Sequence, residues 1–353
     1  MVLFAPHKEV VYLIGSFNDW LVDPQFQMNR YDSGADSTMW WITLDGLTPG
    51  TEYAYQYLLD GGQRFADPYS AKVLDPDHDG AITSGTYPNL MPYPVNLTDG
   101  IVTSFVASPT LYEWQNSGSY IRPPREELVI YELLMRDFTT AHDYSSIIDS
   151  LDYLANLGIN AIELLPNNEF PGNLGWGYNT SFHFALDKNY GPPETFKALV
   201  DSAHGRGIAV IMDMVLNHIN EASPLVRLYF DADSGRPSAL NPWLNPADNF
   251  ENPEPGSWGP DMDHTSIHTQ YYVDRVTRFW LTEYQVDGFR FDFTKGWSNT
   301  AHPLGADDWG SLYDQDRINI LKRMADAMWA VDSTAYVILE HLAVNSEELE
   351  LAE

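Results

Sequence analysis

Within VDGFRFDFTKG, residues 286–296, Arg290 and Asp292 alternate with Phe289 and Phe291. Successive side chains on a strand point to opposite faces, so the phenylalanines share one face and the charged pair the other. An arginine and an aspartate aimed into an interior imply either chemistry or a buried ion pair. Similar apolar runs end in further candidates: Asp213 and His218 after IAVIMDMV, Glu340 and His341 after AYVILE. Three carboxyl groups at neighbouring strand ends suit glycoside hydrolysis, where one carboxylate attacks the sugar and a second carboxyl protonates the leaving oxygen. A neighbouring cation favours an ionised carboxyl, so Arg290 is expected to keep Asp292 charged as the nucleophile. Glu340, with no evident cation partner, is then the expected acid/base. The same residues also suit metal-assisted hydrolysis, with Asp213, His218, Asp292, Glu340 and His341 as ligands. Barrel hydrolases of that kind commonly carry His-x-His on the first strand, and VIYELLMRD has none.

Such groups need a scaffold that gathers strand ends. ELVIYELLM reads as a buried strand, and INAIELLP, IAVIMDMV, VDGFRFD and AYVILE as four more. Between them, helical patterning covers 145–157 (stopped by Gly158), 193–204, 268–284 and 314–331. Strands alternating with helices imply βα units and a parallel sheet. With no dinucleotide Gly fingerprint, the fold class is α/β, a (β/α)8-type barrel of which about five units are present. Reactive groups in such barrels sit at the C-terminal strand ends. A long Pro-, Asn- and Trp-rich stretch after the third strand, 217–264, is expected to form an inserted subdomain.

The first hundred residues read differently. VVYLIGSFNDW, MWWITLDGL and the hairpin signal around Asp60-Gly61-Gly62 predict an all-β sandwich over 1–105. A linker over 106–125 and the barrel over 126–353 follow, with one extra strand near IVTSFV. With 44% hydrophobic residues in 353, the chain can build both cores. Its net charge of −31 argues against nucleic acid and anionic membrane surfaces as partners. No window suits a membrane span, no signal peptide is visible, and zero cysteines exclude thiolate chemistry, so the compartment stays open. Both termini read as if cut from a longer protein.

DMVLNH (213–218), GFRFDFTKG (288–296) and VILEH (337–341) resemble three signature stretches of the α-amylase family of glycoside hydrolases. GINAIELLPNNEF (158–170) and GPDMD (259–263) resemble two weaker ones, and VYLIGSFNDW resembles the immunoglobulin-like N-terminal module of branching enzymes and isoamylases. The resemblance implies Asp292 as nucleophile, Glu340 as general acid/base and Arg290 as the charge partner of Asp292. It further implies that Asp213 braces Arg290, that His218 bonds the sugar, that Lys295 reaches the leaving-group side, and that Tyr178 stacks on the same sugar. Asn217 and Asp261 match positions that bind a structural calcium in many relatives; no other cofactor is expected, and Gly296 stands where a histidine often follows the lysine. The resemblance also implies a further aspartate after a seventh strand, expected beyond Glu353. The implied activity is retaining cleavage of α-1,4 bonds in an α-glucan such as starch, glycogen or a maltooligosaccharide. The alternatives are a transglycosylase such as a branching enzyme, or a non-catalytic glucan-binding protein using Trp20, Trp40 and Trp41, of which at least two are expected in the core.

Overall fold

The structure is a computed structural model and describes residues 1–34, 36–249, 258–301, 305 and 307–352. Strands β1 (Val2–Phe4), β2 (Val11–Gly15), β3 (Asn29–Gly34), β4 (Ser37–Trp41), β5 (Glu52–Leu59), β6 (Arg64–Phe65), β7 (Val73–Leu74) and β8 (Val102–Val106) form two antiparallel sheets. Their orders are β1-β4-β3 and β2-β5-β8-β7, with β6 on β5. Alternation places Val11, Leu13 and Tyr57 of one sheet against Leu3 and Trp40 of the other. The Tyr57 hydroxyl donates to the Val2 carbonyl at 3.1 Å. The strand expected near IVTSFV is β8, which lies between β5 and β7. Trp20 and Trp40 are buried, and Trp41 is exposed.

The expected linker lies tight against the second unit. Main-chain N–H groups of Gln115 and Asn116 donate to the Asp201 carboxylate at 2.9 and 2.8 Å. Arg122 pairs with buried Asp287 at 2.7 Å and with Asp332 at 2.9 Å.

The second unit begins with β9 (Ile130–Leu133), α1 (Met135–Phe138) and α2 (Tyr144–Asn156). Helix α2 starts where Asp143 accepts from the Ser146 N–H, and buries Tyr144, Ile147, Leu151 and Leu154 at helical spacing. Next come β10 (Ala161–Leu164), a hairpin of β11 (Asn168–Glu169) and β12 (Phe182–Leu186), and α3 (Pro193–His204). After β13 (Ala209–Met214), the described residues of the long stretch form α4 (Pro224–Arg227) and the short pair β14 (Phe230–Asp231) and β15 (Arg236–Pro237); residues 250–257 of it lie outside those described. Helix α5 (Ile267–Glu283), β16 (Gly288–Phe291), α6 (Gln315–Trp329), β17 (Tyr336–Leu339) and α7 (Asn345–Ala352) complete the order.

β9, β10, β13, β16 and β17 form one parallel sheet in which each strand pairs with the next in the chain. An order that never reverses is that of a barrel wall, not of a doubly wound sheet. One expectation fails here. β9 is not a buried strand: Ile130 is 39% exposed, because β9 lies at the sheet's edge with a neighbour on one side only among the described residues. The β11–β12 hairpin has no counterpart in the sequence reading, since Phe182–Leu186 is buried throughout and its pattern is not alternating.

Gly288 shows how closely β16 and β17 approach. A Cβ built there would stand 2.3 Å from the Tyr336 carbonyl oxygen. Gly288→Ala is therefore expected to cost about 1–3 kcal/mol, read as a lowered urea midpoint at unchanged slope. An unchanged midpoint would show that the two strands have room to separate.

Candidate active site

The sheet ladder continues past the strand ends and sets the backbone of each candidate. Asp213 and Arg290 are directly opposite across β13 and β16. The Asp292 N–H donates to the Met214 carbonyl at 3.1 Å, and the Glu340 N–H to the Phe291 carbonyl at 3.0 Å. Three carboxyl-bearing residues on three adjacent strands thereby reach the same rim. Phe289 and Phe291 are fully buried on the opposite face, as alternation requires.

Arg290 joins them. Its Nη1 donates to both oxygens of Asp213 at 3.0 and 3.1 Å and to Oδ1 of Asp292 at 3.1 Å. Its Nη2 lies 3.0 Å from Oε1 of Glu340. The other Glu340 oxygen accepts from the Phe293 N–H at 2.9 Å. Phe293 makes that bond from a left-handed conformation, φ 41°, uncommon for a bulky residue and held here by the Thr294 N–H bonded to the Glu340 carbonyl at 3.0 Å.

Two expectations are corrected by this geometry. Glu340 does have a cation partner, the same guanidinium that serves Asp292. Arg290 also does not hold Asp292 in the usual carboxylate range: burial, and next the adjacent Glu340, outweigh it and push Asp292 up to about 6. Asp213 is pushed up to about 7, chiefly by burial, against the opposing pull of Arg290 and of the Tyr178 hydroxyl that donates to its Oδ2 at 2.6 Å. One guanidinium is shared among three carboxyl groups, and it does not offset the burial of Asp213 and Asp292.

A cavity of about 660 Å³ opens over this cluster, walled by Trp176, Tyr178, Trp258 and Phe293 and floored by Asp292 and Glu340. Gly177, at φ 90°, sets Tyr178 in place; a Cβ there would lie 2.1 Å from the Pro166 carbonyl oxygen. His218 lines the cavity, but its Nε2 donates to the Tyr178 carbonyl at 2.9 Å and its Nδ1 lies 3.2 Å from the Asn217 amide. Both ring nitrogens are therefore engaged within the protein, and the expected sugar bond from His218 is not on offer in this arrangement. Burial lowers its pKa, so the ring is neutral near pH 7. Lys295 points elsewhere: its ammonium donates to the Ser311 hydroxyl at 3.3 Å and does not line the cavity. Trp176 and Trp258, 59% and 43% exposed, are cavity residues that spacing alone did not single out. Trp258 reaches His218 and Phe293 at ring distances of 6.1 and 4.7 Å only through the long insertion.

The metal-ligand alternative does not match these positions. His341 is turned away, with Nδ1 on the Thr294 hydroxyl at 3.0 Å and Nε2 on Glu347 at 2.8 Å. Among the described residues, no group of three or more His, Asp or Glu side chains could hold a metal. Asn217 and Asp261 do lie together, with the Met262 N–H on the Asn217 carbonyl at 3.1 Å, and the Asn217 Oδ1 is a buried acceptor without a hydrogen bond. Yet Asp261 Oδ2 already accepts from Asn245 at 2.8 Å and from the Asn249 N–H at 3.3 Å, and burial pushes its pKa up to about 7. The Asn217 Oδ1 and the Asp261 carboxyl are oxygen donors of the kind calcium takes, and they would supply only part of a shell of about six to eight oxygens.

The raised Asp213 value carries a sign. A carboxyl that keeps its proton longer when folded is costless below the unfolded pKa and costs stability as pH rises through the folded one. Between pH 5 and 8 the chain is expected to lose about 2 kcal/mol relative to Asp213→Asn, which cannot titrate there. Urea midpoints of both proteins at the two pH values measure this; a constant difference would show Asp213 already ionised at pH 5.

Comparison with known proteins agrees with the geometry. Residues 135–259 match the family model described as the alpha amylase catalytic domain. The chain is 32% identical over 270 residues to a malto-oligosyltrehalose trehalohydrolase of Saccharolobus solfataricus, covering 76% of this chain and 40% of that protein. It is 26% identical over 363 residues to a 1,4-alpha-glucan branching enzyme of Photobacterium profundum, covering 96% of this chain and 44% of that one. A crystal structure from Salmonella typhimurium assigned as an alpha amylase superposes with a TM-score of 0.68 at 26% identity, over 97% of this chain and 47% of its own. The chain thus spans less than half the length of these relatives. With its parallel sheet, its strand-end carboxyls and these matches, the chain belongs to the α-amylase family of glycoside hydrolases.

Proposed function

We propose that the protein carrying this chain cleaves α-1,4-glucosidic bonds of an α-glucan by a retaining double displacement. The observation that carries the reading is the pairing of Asp292 and Glu340 on one guanidinium beneath an aromatic cavity. Burial first, and then the neighbouring Glu340, raises the Asp292 value. Two carboxyls on one guanidinium suit the short separation of a retaining pair rather than the wider one that an inverting mechanism needs for its water.

In this reading Asp292, once ionised, attacks the anomeric carbon while the Glu340 carboxyl gives its proton to the departing glycosidic oxygen. The glycosyl ester on Asp292 is then opened by a water whose proton returns to Glu340. Asp213 and Arg290 hold the two acids in register. Tyr178, Trp176 and Trp258 offer flat faces to the C–H surfaces of glucose rings. The domain limits fit the same reading: an immunoglobulin-like module over 1–105, a tether over 106–125 and barrel units over 126–353.

A second reading is transfer, in which a glucan hydroxyl replaces water. Its support is the branching-enzyme match across 96% of the chain. New branch points on amylose without a rise in reducing ends would select it over hydrolysis.

The test of the shared first step uses a glucosyl fluoride inactivator that stalls the ester intermediate. Mass spectrometry is expected to find one glucosyl unit on Asp292 and none in Asp292→Asn; label on another residue would overturn the nucleophile assignment. Glu340→Gln is expected to lose about 100-fold or more on natural glucans and far less on substrates with activated leaving groups, which need little protonation. Equal losses on both would contradict the acid role.

A further inference from the structure

A second cavity, of about 380 Å³, opens at the seam between the N-terminal sheets and the barrel unit and shares no lining residue with the catalytic one. Helix α5 builds one wall. Its residues Tyr272, Val276 and Trp280 are buried, whereas His268, Tyr271 and Arg275, at i, i+3 and i+7, share a different face and line the seam. Across from them stand Phe4 of β1 and Met39 of β4, flanked by Tyr69 and buried Trp243. The Phe4 ring stacks on His268 at 4.6 Å and meets Trp243 edge-on at 5.7 Å. The Arg275 guanidinium lies over the rings of Tyr69 and Tyr271 at 5.8 and 6.0 Å.

What distinguishes this seam from ordinary packing is its polar groups. Among the described residues, the Arg275 guanidinium, the Tyr69 and Tyr271 hydroxyls and the His268 ring nitrogens make no hydrogen bond or ion pair. Tyr271 is 57% exposed, on a helix whose other face is core. Aromatic walls with a few unengaged donors and acceptors, in a cleft within the range of about 300–1,000 Å³, are what a small-ligand site requires. A purely apolar guest would leave four polar groups unsatisfied. An anion would meet a single guanidinium within a chain of net charge −31. A neutral pyranose meets both demands, with C–H faces for the rings and hydroxyl edges for Arg275, His268 and the two phenols.

We propose that the seam is a second, non-catalytic site for a segment of α-glucan chain, held jointly by the N-terminal sheets and α5. The inference rests on the glucan reading of the catalytic cavity, and the test separates the two. Calorimetric titration of the protein with maltoheptaose is expected to show two classes of site. Tyr271→Ala and Arg275→Ala, both at exposed positions, are each expected to weaken one class about tenfold, the worth of one lost stacking or cation contact, and to leave the other unchanged. Tyr178→Ala is expected to weaken only the class that the seam variants spare. Seam variants whose isotherms superpose on that of the unaltered protein would overturn the second site. Seam variants that lose binding while Tyr178→Ala changes nothing would sustain it and count against the catalytic-cavity reading instead.

Discussion

One guanidinium faces three carboxyl groups. Arg290 spends Nη1 on Asp213 and Asp292 and Nη2 on Glu340, all within 3.1 Å. Burial penalises the negative charges of Asp213 and Asp292, and the cation they share does not offset it. The outcome is seen in Asp213 and Asp292, which both sit well above the ordinary range despite their bonds to Arg290. Both carboxyls therefore hold a proton to higher pH than an ordinary aspartate does. Asp292, as the attacking group, has to be in its ionised form, so its raised value sets the lower pH limit for the displacement.

Everything around the cluster serves to hold that ratio. The ladder bonds from Asp292 to Met214 and from Glu340 to Phe291 carry strand register past the last paired residue, so no flexible turn intervenes between sheet and acid. The strained Phe293 turns its N–H onto Glu340. Behind it, fully buried Arg317 pairs with Glu347 at 2.7 Å and donates to the carbonyls of Lys295, Gly310 and Leu312. Here a buried charge pair has all its partners, and it ties α6, α7 and the loop after β16 together. The first unit is bound in as well: Asp79 and Glu169 both reach Lys188. No helix of the described residues is long and apolar enough to cross a membrane.

Much of this was legible in the residues. Alternation in GFRFD placed Arg290 and Asp292 on one face, and the βα rhythm placed Asp213, Asp292 and Glu340 at successive strand ends. Helix α3 falls on the expected span because Pro193 and Gly205 mark its limits. Less legible was anything decided by a distant partner. Glu340 looked unpaired because its cation belongs to another strand, fifty positions earlier (340 − 290). The balance at Asp292 followed from burial and from a second acid, neither of which a local motif reveals. His218 and Lys295 carried family roles in sequence, yet their side chains are engaged by Tyr178 and Ser311. Trp258 joins the cavity through an insertion whose path no periodicity encodes.

The raised Asp292 value is the central claim, and carboxyl carbon NMR on the protein labelled at Asp and Glu side chains measures it directly. With Asp292→Asn used to assign the signal, the account predicts a carboxyl resonance that titrates near pH 6 and is absent from the variant. A spectrum in which the Asp292 resonance completes its titration near the ordinary aspartate value of about 4 would contradict it, because Arg290 would then suffice to keep the acids charged.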